Sequence, residues 1–287
     1  MERRRFYGAV AGGIAAAAFA IVAITVTLAA PNPRFADRSP NAVQVDVELV
    51  LAVDVSYSMD PEEQALQREG YIQALTSREF LSALREGANG KIAVTYFEWA
   101  GAADQRIVVP WRVIDGPESA DSFAAEIANA PYRRASRTSI SGAINFGRAL
   151  FEKSGYRGLR RVIDVSGDGA NNAGPLVAIT RDETIAAGIT INGLPVMLKR
   201  NSFGYVDAEE LDVYYEDCVI GGTGAFVIPI RDRSEFVKAT KTKLILEIAG
   251  LQPEPRVIPA SADKPRVSCT IGERVWRERW GDGMDFR

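Results

Sequence analysis

Histidine is absent from the 287-residue sequence. With it go the commonest zinc ligand, the usual general base near neutral pH, and every Ser-His-Asp or Cys-His arrangement. Cysteine is scarce: Cys218 and Cys269 stand far apart, which excludes a thiolate metal cluster and a CxxC redox pair. Neither sign of charge dominates, since 34 Lys and Arg against 37 Asp and Glu leave a formal charge of -3. No basic excess draws nucleic acid, and no interleaved aromatic and basic stretch does so locally. The glycine-rich turn at Gly221, Gly222 and Gly224 is not followed by the Lys-Ser or Lys-Thr pair that opens a helix in a phosphate loop, which argues against a nucleotide.

What is present reads as one globular α/β domain with extensions. Hydrophobic residues make up 47% and charged residues 25%, enough apolar surface to bury a core. At the N-terminus Arg3, Arg4 and Arg5 precede an apolar or small-residue run over residues 6–30. A basic flank before such a run is the pattern of a secretory signal peptide or of an N-terminal membrane anchor. Thr27 and Ala29 suit a cleavage site, whereas the run exceeds the about 20 apolar residues that span a bilayer. Either reading exports the rest of the chain, where a disulfide between Cys218 and Cys269 is chemically allowed. Two separate buried thiols are the alternative.

Residues 31–42 read as a linker and residues 43–250 as the domain. Val- and Leu-rich or alternating runs predict strands over 43–55, 91–99, 105–109, 161–166, 189–198 and 225–230. Helical periodicity falls between them, from Pro61, from the Ser77 cap, and over 119–129, 139–151, 176–187 and 234–248, with a short helix over 207–215. The alternation predicts a doubly wound, mainly parallel six-stranded sheet with helices on both faces. The second and third strands leave no room for a crossover helix, so one edge strand is expected to run antiparallel. Residues 251–287, rich in proline and charge, form a C-terminal extension, tied back if the disulfide forms.

The first strand ends in Asp54-Val55-Ser56-Tyr57-Ser58. Alternate residues of an extended loop project the same way, so Ser56 and Ser58 can converge on one ion. Thr138 stands just ahead of a predicted helix, and Asp168 follows another strand in Ser166-Gly167-Asp168-Gly169. Loops beyond the carboxyl ends of strands form the crevice of an open α/β sheet. Two carboxylates with neutral hydroxyls are a donor set for a small, hard cation. Each piece alone has an ordinary reading as a helix cap or turn residue.

Together they resemble the metal-ion-dependent adhesion site of von Willebrand factor A domains. Asp54, Ser56 and Ser58 match its first loop, Thr138 its second and Asp168 its third. The strings Ile163-Asp164-Val165-Ser166-Gly167-Asp168-Gly169-Ala170-Asn171-Asn172, Tyr214-Tyr215 and Val219-Ile220-Gly221-Gly222 resemble an uncharacterised family of exported Gram-negative bacterial proteins of this fold. The resemblance implies a divalent cation, Mg²⁺ first, with Mn²⁺ and Ca²⁺ satisfying the same oxygens. It also implies a protein partner that supplies an acidic side chain to the metal, on the periplasmic side of the membrane.

The expected function is therefore a metal-dependent protein-binding module without catalytic residues. A hydrolase using metal-activated water, or a structural module whose ion fastens loops, are the alternatives. Around the site, Tyr57 and Trp99 are expected either as an apolar rim or as packing. Arg133, Arg134 and Arg137 favour an acidic partner. Glu98 is read as supporting the metal site or as an exposed edge residue. Asp164, inside an apolar strand, must be paired, through a structural role or in support of the metal.

Overall fold

A computed structural model of the chain describes residues 41–198, 210–250 and 265–280. The leader (1–30), nearly all of the linker (31–42), the expected helix start at 207–209 and parts of the C-terminal extension (251–264 and 281–287) lie outside the described residues.

Strand β1 (Val43–Asp54) is buried from Val45 onward, as its run of Val and Leu demands. It pairs in parallel with β2 (Ile92–Trp99) on one side and β4 (Tyr156–Gly167) on the other. Strand β3 (Gln105–Ile114) lies antiparallel on β2, and β5 (Thr190–Pro195) parallel on β4. Among the described residues the sheet therefore has five strands in the order β3-β2-β1-β4-β5.

The expectation of six strands is overturned. Residues 225–230 make only isolated bridges, Val227 to Gly193 and Ile230 to Val196, beside β5. Their composition is strand-like, but Pro229 has no N–H to donate, and the glycine turn before them sets no regular register.

Helix α1 (Pro61–Leu75) starts on a complete capping box: Asp60 accepts from the Glu63 N–H, and the Glu63 side chain accepts from the Asp60 N–H. Ser77 caps α2 (Arg78–Glu86), and Ser139 caps α4 (Ile140–Phe151). The remaining helices are α3 (Pro117–Asn129), α5 (Val177–Ala186), α6 (Leu211–Tyr214) running into one π turn (Tyr215–Val219), α7 (Phe236–Ala249) and α8 (Ile271–Trp280). Among the described residues no helix is long and apolar enough to cross a membrane.

Strand alternation divides the core. Val47, Leu49, Leu51 and Val53 pack with Tyr71, Phe80, Phe123, Phe236 and Leu244, from α1, α2, α3 and α7. Val50 and Ala52 pack on the other face with Ile144, Val177 and Tyr214, from α4, α5 and α6. The carboxylates within β1 are satisfied: Asp46 accepts from the Asn89 backbone and side chain, Glu48 from Ser154 and the Gly158 N–H. Cys218 and Cys269 form a disulfide, with Cα atoms 5.3 Å apart. The parallel strands end together, placing Asp54 and Trp99 side by side with Gly167 of β4 nearby.

Candidate metal centre

Asp54 is the last residue of β1, and its Oδ1 accepts from the Ser56 N–H at 2.7 Å, which turns the chain. The Ser56 and Ser58 hydroxyls then lie 2.8 Å apart, and Ser58 Oγ donates to Asp168 Oδ1 at 2.6 Å. These four residues thus form one contiguous set. The Thr138 loop is sewn to them from both sides. Tyr57 N–H donates to Ala135 O and Ala135 N–H to Val55 O. Thr138 N–H donates to Asn172 Oδ1 at 2.9 Å, and Asn172 N–H to Thr138 O at 2.8 Å. The Thr138 Oγ1 comes within 3.8 Å of where a Cβ at Gly169 would sit, one residue past Asp168. Because Ser139 caps α4, the Thr138 hydroxyl is not needed there.

Asp54 is fully buried, and among the described residues its Oδ2 has no hydrogen-bond partner within normal geometry. Burial, and after it the charge of Asp168, push the Asp54 carboxyl well above the usual carboxylate range. The N–H and hydroxyl of Ser56, and after them the N–H of Asp168, pull the other way without offsetting this. Gly167 closes the floor: a Cβ there would lie 2.8 Å from Asp54 Oδ2 and 3.1 Å from the Tyr215 hydroxyl. That hydroxyl is also buried without a partner, and burial followed by the Asp54 charge raises its pKa.

Among the described residues no group of three or more Asp, Glu, His or Cys is gathered for a metal. A cation here would rest on two carboxylates and on Ser and Thr hydroxyls, completed by water. Such an all-oxygen, negatively charged and under-satisfied set fits a hard divalent ion and no soft one.

Residues 44–252 match the family described as "Protein of unknown function (DUF1194)". The chain belongs to this family. No curated protein matches the DUF1194 chain. Among solved structures it is similar to proximal thread matrix protein 1 from the mussel byssus, determined with a zinc-occupied MIDAS motif. That likeness has 16% identity and a TM-score of 0.51, over 72% of this chain and 49% of that one. It is also similar to the pilus adhesin SpaC from Lactobacillus rhamnosus GG, at 13% identity and a TM-score of 0.53, over 73% of this chain and 31% of that one. The DUF1194 chain thus matches half or less of these proteins, and the likeness shows the fold, which is von Willebrand factor A-like.

Several neighbours differ from expectation. Glu98 is not an exposed edge residue. It is buried, 2.9 Å from Arg68 and 3.3 Å from Arg133. Trp99 is fully buried and forms no rim, whereas Tyr57 is 60% exposed beside the two serines. Of the three arginines, Arg133 turns inward to Glu98 and Asp104, Arg134 donates to the Tyr57 carbonyl, and Arg137 stacks on Trp276. Asp164 is paired with Lys243 of α7, a structural partner from 79 residues away. Tyr215 was legible only as half of a Tyr-Tyr doublet, with nothing to place its hydroxyl beside Asp54.

Proposed function

We propose that this DUF1194 chain is a divalent-metal-dependent protein-binding module on the periplasmic side of the membrane, exported by its leader. Asp54, Ser56, Ser58, Thr138 and Asp168 hold the cation, Mg²⁺ in the first instance, with Mn²⁺ or Ca²⁺ as substitutes. A partner's acidic side chain completes the coordination.

The observation that carries this reading is the buried, partnerless Oδ2 of Asp54 facing the charge of Asp168. No lysine or arginine among the described residues is paired with Asp54, so its charge is offset only by dipoles. An uncompensated buried carboxylate costs several kcal/mol, about 1–3 even for one unsatisfied polar group. A bound cation removes that cost and, through its remaining positions, recruits an acidic ligand. Exposed Tyr57 and Tyr132, 60% and 58% accessible, with exposed Arg134 two residues past Tyr132 and bonded to the Tyr57 carbonyl, offer aromatic and cationic contacts to such a partner. The zinc-occupied MIDAS motif of the mussel protein, and adhesion by the pilus protein of this fold, support the same reading.

Calorimetric titration of the purified protein with Mg²⁺ and Mn²⁺, followed by pull-down from the native cell envelope with and without EDTA, tests it. Saturable metal binding is expected, and a partner retained only with metal and only by the protein carrying Asp54. Binding that is indifferent both to EDTA and to Asp54→Ala would refute the proposal.

A further inference from the structure

Helix α8 (Ile271–Trp280) lies beyond residue 252, where the match to the family ends. Read from sequence, this part of the chain is a polar extension with no core of its own. In the structure it is laid against the loops that carry the metal-type residues. Gly272 sits so close to the loop after Asp168 that a Cβ there would stand 2.1 Å from the Asn171 carbonyl oxygen. One residue later, Glu273 Oε1 accepts from Asn171 Nδ2 at 2.7 Å. The other end of that buried amide accepts from the Ser141 N–H at 3.0 Å and hydroxyl at 3.2 Å, so Asn171 ties α8 to the first turn of α4.

A second contact reaches the Thr138 loop. Arg137 is the one non-glycine residue among those described with a left-handed backbone, φ 75°, and it immediately precedes Thr138. Such a conformation costs on the order of 1 kcal/mol or more for a residue with a Cβ and needs surrounding contacts to persist. Its guanidinium lies 3.9 Å from the centre of the Trp276 ring, a cation–π contact at close range.

The helix is itself held in place. Cys269 is bonded to Cys218, and Arg266 pairs with Glu216 and Asp217. That anchoring segment is the π turn that begins with Tyr215, whose hydroxyl meets Gly167 beside Asp54. One short stretch therefore carries both a wall of the site and the tether of α8.

We propose that the disulfide-tethered helix α8 is a positioning element of the metal site, with Trp276 fixing Arg137 and hence Thr138, and Glu273 fixing Asn171 and hence the Asp168 loop. The inference rests on the metal-binding reading, but the ordering of the loops that it requires is measurable without metal. Trp276 and Glu273 grip the residue before or the residues just after a donor, where support around a ligand sets affinity rather than overall stability.

The test uses the full chain with Mn²⁺ alone as the probe, together with hydrogen exchange of the segment 134–142 in EDTA. Trp276→Ala and Glu273→Ala should each raise the Mn²⁺ Kd by about 10-fold and speed exchange around Thr138, while Trp276→Phe and Glu273→Gln, which keep the ring face and the acceptor, should stay within about 2-fold. A role confined to general stability would lower the melting temperature of the alanine variants without moving the Kd or the local exchange, and that result overturns the inference. Wild-type protein that binds no Mn²⁺ refutes the metal reading instead, and exchange at 134–142 then decides by itself whether α8 orders the loop.

Discussion

Two buried aspartates, Asp54 at the end of β1 and Asp164 within β4, are both fully inaccessible, yet the protein treats them oppositely. Asp164 receives a cation from the chain: Lys243 of α7 donates to it and, at 2.5 Å, to Glu247, with all three side chains sealed from solvent. Tyr71 and Asn192 add donors to the same cluster. Asp54 receives hydrogen bonds from Ser56 and from the Asp168 N–H but, among the described residues, no lysine or arginine, and its Oδ2 has no partner within normal hydrogen-bond geometry. Burial raises the pKa of both. The difference lies in where the compensating charge comes from. One buried carboxylate thus has a lysine beside it and the other has dipoles alone, and the metal-binding proposal rests on that difference.

The largest test of this contrast removes the internal cation. Lys243→Met leaves Asp164 and Glu247 buried together without their counter-ion, and the loss of one partner from a buried ionic cluster costs about 3–5 kcal/mol. Denaturant unfolding should show a midpoint lowered accordingly, with or without divalent metal. A variant as stable as wild type would mean that the cluster does not compensate its own charge, and the comparison with Asp54 would lose its reference.

The next test is pH. Burial first, then the charge of Asp164, push Glu247 up to about 7 from an ordinary 4.5, with Lys243 pulling the other way. Between those values the folded protein keeps a proton that the unfolded chain has lost. The contribution is therefore whole below about 4.5 and lost as pH rises through about 7, a decline worth roughly 3 kcal/mol at most. Asp164, raised as well, acts in the same sense. Stability measured from pH 5 to pH 8 should fall more steeply in wild type than in Glu247→Gln. Parallel profiles would break the assignment.

At the other aspartate the expected behaviour reverses. Asp54→Asn keeps the shape and the acceptor for the Ser56 N–H but removes the charge that faces Asp168. In EDTA it should be as stable as wild type or slightly more so. The stabilisation that wild type gains from Mg²⁺, about 2.7 kcal/mol at a hundredfold excess over Kd, should vanish. A clear loss of stability in EDTA would show that Asp54 has an internal partner after all.

How much of this the sequence discloses depends on the range over which each interaction acts. That Asp54, Ser56 and Ser58 lie together is legible because one loop carries all three, and that the Thr138 and Asp168 loops lie beside them because element order puts them at the same end of the sheet. The buried faces of α1 and α7 are not legible from periodicity, because Glu63, Gln64, Gln67 and Arg68 on one and Lys243 and Glu247 on the other are buried. Nor is the Asp164 partner, since Lys243 and Glu247 stand four apart on a helix, the spacing of an ordinary solvent-exposed pair. Only tertiary packing shows that this pair points inward. The sixth strand fails for a related reason: residues 225–230 have strand composition, but Pro229 and the preceding glycines limit them to bridges. Helix α8 escapes because its supports, a disulfide and two side-chain contacts, are long-range.

The smallest effect separates the two sites most finely, because each contains a buried tyrosine hydroxyl. Tyr71 donates to Asp164 Oδ2 at 3.3 Å, a long bond but a satisfied one. Tyr215 places its hydroxyl at Gly167 beside Asp54 and finds no partner. Removing a bonded hydroxyl forfeits about 0.5–1.5 kcal/mol, whereas removing an unsatisfied one returns its desolvation cost. In EDTA, Tyr71→Phe should therefore lower stability by about 1 kcal/mol and Tyr215→Phe should leave it unchanged or raise it. Equal losses in the two variants would mean that the Tyr215 hydroxyl is bonded in solution, to Asp54 or through water. In that case the bare carboxylate oxygen on which the contrast rests would already be occupied.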